Sequence, residues 1–276
     1  MTRVLCRLIP VVWLVSAFAL QVHAQSFSLD DYPTDRMILS MEYDRPFFDS
    51  RPSLSLLTGG YNLSLHAPVC RSFNIVARLP LTVLGGRDTR EDGSSAGNIF
   101  LGIQTRIRQD TTKGTSITAG ISIPTASNGM LPVKSLGLYT DNLHFYRYTP
   151  RIMAIRINVA LHNREPLNRF HAIHLGAVLT FPTGTNEGEV ELWGRYGIGA
   201  GAWAGDTILS AELIGIVHLS EKIEKFSHRF THSLVLAATY DRFTLKPSLF
   251  IRLYFDHDLN QAVDAIAGLK FTLFLN

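Results

Sequence analysis

Two short segments pair the residue types used in nucleophilic chemistry. His218-Leu219-Ser220 sets an imidazole two positions before a hydroxyl, and Ser127-Asn128-Gly129 places a second hydroxyl beside an amide. A serine becomes a nucleophile when a base within hydrogen-bond reach takes its proton and a third group orients that base. Neither segment supplies all three. Thr125 rather than a histidine stands two before Ser127, and the next histidine after Ser220 is His232, roughly one hairpin later. The other chemistry-bearing set is ionic. Seven basic residues, Arg78, Arg106, Arg156, Arg195, Lys246, Arg252 and Lys270, and four acidic ones, Glu42, Glu191, Glu212 and Asp241, are set into otherwise apolar stretches. What they can do depends on the elements that hold them.

Those elements read as strands. Past residue 35, apolar side chains recur at every second position in segments of ten to fourteen residues, which is strand and not helix periodicity. From Asn98 to Arg108, Ile99, Leu101, Ile103 and Ile107 share one face while Asn98, Gln104, Arg106 and Arg108 share the other. The pattern repeats through Phe73–Leu81, Ile117–Ile123, Met153–Leu161, Ile173–Phe181, Val190–Ile198, Leu209–Val217, Phe230–Tyr240, Phe243–Phe255 and Leu269–Leu273. Two weaker segments near 36–46 and 54–66 bring the count to twelve. In this register the eleven charges and His218 fall on the polar face. A slip of one residue would turn them all to the other side.

Segment length separates two all-β readings. Strands of a soluble sandwich average five to six residues, whereas crossing a bilayer at a tilt takes nine to eleven. The expected fold is therefore a transmembrane antiparallel up-and-down β-barrel of about twelve strands, apolar toward lipid and polar toward a lumen. Loop lengths agree, since such barrels alternate short periplasmic turns with long outer loops. The tight returns at Ala204-Gly205-Asp206 and Asp241-Arg242 fall on one side. Gly85–Gly97 and Pro124–Pro150 fall on the other, where the second is expected to stand as an outer loop open to a partner.

The N-terminus fits export. Arg3 and Arg7, an apolar run from Leu8 to Leu20, and Val22-His23-Ala24 form a signal-peptide pattern, and the apolar run is too short for a membrane-spanning helix. The expected division is 1–24 signal peptide, 25–35 periplasmic segment and 36–276 barrel, in the bacterial outer membrane. Without Arg3 and Arg7 the chain has 24 basic against 23 acidic residues, a formal charge of +1, so it has no electrostatic footprint for nucleic acid. Cys70 is then the one cysteine left, and no cofactor motif or Cys/His metal spacing is present.

Gly97-Asn98-Ile99-Phe100-Leu101-Gly102, Ile121-Ser122-Ile123-Pro124-Thr125 and Leu179-Thr180-Phe181-Pro182-Thr183-Gly184 resemble the outer-membrane barrels of the phenol-degradation meta-pathway type, a broad set of proposed transporters. The resemblance covers residues 70–275 in rhythm and implies a passive channel or binding barrel for a small solute. Arg106, Arg156, Arg195, Arg252, Glu191 and Glu212 are then the candidate lumen-lining residues. His218-Leu219-Ser220 is similar to the His-x-Ser pair of outer-membrane phospholipases, so a lipid hydrolase of phospholipase or lipid A deacylase type is the alternative, and a structural or adhesive barrel a third. The expected partners are outer-membrane lipid, a small solute and the barrel-assembly machinery. That machinery commonly reads a terminal aromatic, which here is displaced to Phe274.

Overall fold

The computed structural model describes residues 36–48, 55–70, 72–85, 93–109, 113–127, 131–165, 169–184, 189–220, 230–256, 259 and 263–275. The expected signal peptide and the 25–35 segment lie outside the described residues. Thirteen strands run in chain order: β1 (Met37–Phe47), β2 (Gly59–Cys70), β3 (Phe73–Leu84), β4 (Gly93–Ala96), β5 (Ile99–Gln109), β6 (Lys113–Ile123), β7 (Ile152–Glu165), β8 (Arg169–Pro182), β9 (Glu191–Ala204), β10 (Thr207–His218), β11 (Phe230–Tyr240), β12 (Leu245–Tyr254) and β13 (Ala265–Leu275). Between β6 and β7 lie α1 (Leu131–Thr140) and a 3-10 helix (Asn142–Arg147).

Apart from β4 and β5, consecutive strands pair antiparallel, and β1 pairs along its whole length with β13, which closes the ring. Closure removes the unpaired backbone edge that hydrocarbon would punish. Thirteen strands make only twelve staves because β4 and β5 both pair with β3, one above the other. Between them, at Gly97-Asn98, the register against β3 steps by one residue. The second strand, expected near 54–66, begins later, at Gly59, and continues through Pro68 to Cys70 with a bulge beside that proline.

The two faces sort as the alternation requires. Leu101, Ile103, Ile155, Ile157, Leu175, Ile198 and Leu249 are exposed on the outside, while Gln104, Arg156, Glu212 and Arg252 are buried inside. An 11-residue strand such as β5, at about 3.3 Å per residue and a tilt of about 40°, spans roughly 28 Å, enough for the apolar band of about 25 Å that such barrels present. A lipid-facing Arg at mid-height costs about 2–4 kcal/mol, so the buried arginines fix the register against slippage. One outward polar cluster lies near the long-loop rim. Tyr196 meets His232 Nε2 at 2.5 Å, and the His232 backbone N–H donates to Asp256 at 2.7 Å.

Connections at the chain's C-terminal end of the barrel are short. Gly205, at φ 63°, takes the first position of a two-residue turn, where hairpins require a left-handed backbone. At the opposite end the β6–β7 connection corrects the expectation of an outer loop: it folds into the lumen. Val133, Leu136, Leu143, Tyr146 and Tyr148 on it are buried. Leu143 packs in a cluster with Ile214, Ile216, Val235 and Phe250 of the wall, and Tyr146 in one with Ala154 and Val178. Tyr148, just past the 3-10 helix, is part of this plug.

Candidate functional site

The plug presents its polar groups through helical spacing. Asp141, His144 and Arg147 recur every three residues, the repeat of a 3-10 helix, which brings them to one side despite a kink at His144. His144 Nδ1 lies 2.7 Å from Asp141, and Arg147 Nη1 donates to the other carboxylate oxygen at 2.8 Å. His144 Nε2 lies 2.7 Å from Arg195 Nη2 of β9. A guanidinium only donates, so Nε2 is the acceptor and the imidazole proton sits on Nδ1, donated to Asp141. His144 is thus neutral. Burial and the neighbouring Arg147 and Arg195 charges lower its pKa well below the usual histidine value, against the pull of Asp141. Burial works to raise the Asp141 pKa, yet the polar contacts with His144 and the charges of Arg147 and Arg252 outweigh it and hold the carboxyl ionised, well below its ordinary range.

Wall residues fasten the plug at three further places. Arg252 of β12 donates to the Thr140 carbonyl at 2.8 Å, satisfying the C-terminal end of α1 with a cation, where the helix dipole favours one. Tyr254 donates to the Tyr139 carbonyl at 3.3 Å. Asn98, fully buried at the step between β4 and β5, has its Nδ2 within 2.7 Å, 2.8 Å and 3.1 Å of the carbonyls of Tyr146, Thr149 and Ile152. Its Oδ1 accepts from the Ala126 N–H at 2.8 Å. Beside it, Gly97 lets the plug backbone approach closely, because a Cβ there would lie 2.4 Å from the Arg147 carbonyl oxygen.

Between plug and wall remains a polar cavity of about 60 Å³. Of the six candidate residues, the structure brings Arg195 and Arg252 to its lining. Arg156 lies elsewhere on the inner wall, 2% exposed, with its guanidinium 4.7 Å from the Phe100 ring. Glu212 is fully buried on β10. Glu191 begins β9 at the long-loop rim and accepts from Trp193 Nε1 at 3.3 Å, whereas Arg106 lies on β5 toward the short-turn end. Asp141, His144 and Arg147 escape sequence reasoning because the length and position of their connection are those of an outer loop. Its apolar content, with Val133, Leu136, Leu143, Phe145, Tyr146 and Tyr148 within sixteen residues, was the available signal.

His218 faces inward and stacks on Trp193, with ring centroids 3.9 Å apart at an interplanar angle of 4°. Ser220 Oγ lies 3.2 Å from His218 Nε2 and accepts from the Leu192 N–H at 3.0 Å. The hydroxyl and imidazole therefore meet as their spacing suggests.

No family model matches the chain, and no curated protein matches it in sequence. Its fold does match solved structures. An outer-membrane channel from Pseudomonas putida, 11% identical, superposes with a TM-score of 0.60 over 92% of this chain and 100% of that one. LpxR from Salmonella typhimurium follows at 9% identity and 0.47, covering 86% and 100%. An anion-selective porin from Comamonas acidovorans follows at 8% and 0.35, covering 87% and 98%. The last two likenesses are too loose to carry an argument. With the first, the closed antiparallel ring gives this chain the twelve-stranded barrel fold found in a bacterial outer-membrane channel.

Proposed function

We propose that the protein is a passive outer-membrane channel or binding barrel for a small solute, its lumen narrowed by the in-folded residues 131–151. The observation that carries this reading is the charged cavity enclosed between plug and wall, inside a ring whose outer face is apolar. A purely structural barrel gains nothing from burying several guanidiniums, each expensive to take out of water. The fold likeness to a channel supports the reading, as does the resemblance of three segments to the phenol-degradation meta-pathway type of transporter. Outer-membrane lipid and the barrel-assembly machinery are the partners such a chain needs. Planar-bilayer recordings of purified protein should show small, discrete conductance steps. Absence of both conductance and solute flux into liposomes would remove the channel, and a mature chain that stayed a soluble monomer without detergent would remove the membrane reading as well.

One observation favours a second reading. The 3.2 Å contact between Ser220 and His218 is the geometry of a nucleophile and its base, so lipid-ester hydrolysis at the long-loop rim is the alternative. It predicts fatty-acid release from phospholipid or lipopolysaccharide that Ser220→Ala abolishes; equal release by that variant would discard it.

A further inference from the structure

A polar trio on the outer face has no part in the lumen. Tyr196 of β9 shares outward parity with Leu192 and Ile198, both exposed on the lipid side. Its ring lies across β10 over Gly215, where a Cβ would stand 2.3 Å from Tyr196 Cζ, and its hydroxyl reaches His232 Nε2 of β11 at 2.5 Å. A side chain at 215 would close that path. Asp256, two residues past the end of β12, accepts from the His232 backbone N–H at 2.7 Å. The phenol donates to Nε2, which leaves the imidazole proton on Nδ1, facing the Asp256 carboxylate. Nδ1 and Oδ1 stand 3.9 Å apart. That is beyond a direct hydrogen bond but wide enough to admit one oxygen about 2.8 Å from each. The His232 side chain is 34% exposed and that of Asp256 19%.

The height of the trio fits a lipid head group. His232 stands two residues inside the start of β11, about 7 Å along the strand, and Asp256 lies beyond β12. A carboxylate and an imidazole would be costly to bury among acyl chains, whereas the head-group level accepts side chains with an apolar body and a polar tip. The trio itself contains no cation, so it suits a hydroxyl, which both donates and accepts, and not a phosphate. We propose that Tyr196, His232 and Asp256 form a binding site for the sugar head group of outer-leaflet lipopolysaccharide. One sugar hydroxyl accepts from His232 Nδ1 and donates to Asp256 Oδ1, and the sugar packs beside the Tyr196 ring. The inference goes beyond the solute reading because it concerns the opposite face of the wall. It shares with that reading only the placement of the long loops at the cell surface.

The test uses the full-length folded barrel in detergent, titrated with rough lipopolysaccharide, phosphatidylethanolamine or phosphatidylglycerol. Native mass spectrometry counts the bound lipid, and heat-modifiable gel migration verifies folding. Lipopolysaccharide should bind saturably, as a single copy, at lower concentration than either phospholipid. His232→Phe keeps a ring and removes both nitrogens, so it should raise the half-saturating concentration about tenfold. Gly215→Val leaves the trio's own atoms in place but blocks the path of the Tyr196 ring; it should weaken binding similarly and serves as the test if His232→Phe does not fold. Tyr61→Phe, which removes a hydroxyl elsewhere on the same rim, should leave binding unchanged. Equal or tighter binding of a phospholipid, or undiminished lipopolysaccharide binding in the folded variants at 232 and 215, would overturn the proposal. An equal loss in Tyr61→Phe would mark a general rim contact and overturn it too. A barrel that conducts without selective lipopolysaccharide binding keeps the channel reading and loses this one. A barrel that binds selectively without conducting keeps this one and loses the channel.

Discussion

Replacing Asn98 with alanine tests whether the plug is held by a few wall contacts. The carboxamide is fully buried, contacting the carbonyls of Tyr146, Thr149 and Ile152 and the N–H of Ala126. Its nitrogen has two hydrogens, so two of the three carbonyl contacts count at full strength, and the accepted bond makes a third. At about 1–1.5 kcal/mol net for each, alanine removes about 3–4 kcal/mol of docking energy. With about 1.4 kcal/mol per factor of ten, the released fraction of plug rises by about two to three orders of magnitude. The ring remains closed, because the β3–β5 and β5–β6 ladders use backbone groups that the substitution leaves alone. Trypsin cleavage at Lys134 or Arg151 follows the population of the released form when docking is fast relative to cutting, so its rate should rise by the same factor. Single-channel conductance should rise with it. An Asn98→Ala barrel that migrates as folded, resists trypsin like the parent and conducts no more would refute the idea that this carboxamide fastens the plug.

Two further outcomes follow from the same geometry. The docked His144 has a lowered pKa, so the released plug binds more protons and docking weakens as pH falls through the free histidine range near 6.5. Asp141 stays ionised in both forms and contributes nothing over this window. Conductance at pH 5 should therefore exceed that at pH 7.5, with the difference largely gone in His144→Gln; a pH response unchanged in that variant would exclude the histidine as its origin. Cys70 is an exposed free thiol at the short-turn end, so in intact cells a bulky impermeant maleimide should leave it unlabelled while labelling the purified barrel; labelling in intact cells would reverse the orientation.

The barrel was legible because lipid on one side and a polar lumen on the other force a period of two that no local interaction obscures. In β5, Leu101 and Ile103 could be assigned outward and Gln104 inward from the pattern alone, and the structure places them so. The twelve staves were counted correctly, although one is split. Neither Gly97 nor Asn98 announces the step in register there, and both meet the backbone of Arg147, far along the chain. Which inward residues border the plug cavity depends on long-range placement in the same way. Arg195 and Arg252 were picked by parity, which says only that a side chain points inward. Parity is equally true of Arg156, whose neighbour is the Phe100 ring, and of Glu212, which is sealed in the wall.

The plug shows why inward parity and function are separate questions. A ring of this size cannot close its lumen with wall side chains alone as smaller barrels do, so something must fill it or leave it open to water. Here the filling comes from a segment that first orders its own charges, Asp141 taking Arg147 and His144, and then meets the wall, where His144 takes Arg195 and the end of α1 takes Arg252. Each contact satisfies a group on both partners, so loss of any one leaves a buried charge or carbonyl without its full complement, and the rest of the dock weakens with it. A segment held this way adds directional polar contacts to the apolar packing of Leu143 and Tyr146, so its docking depends on the ionic state of a few groups. That is the condition under which a proton on His144 can shift the balance between docked and released plug.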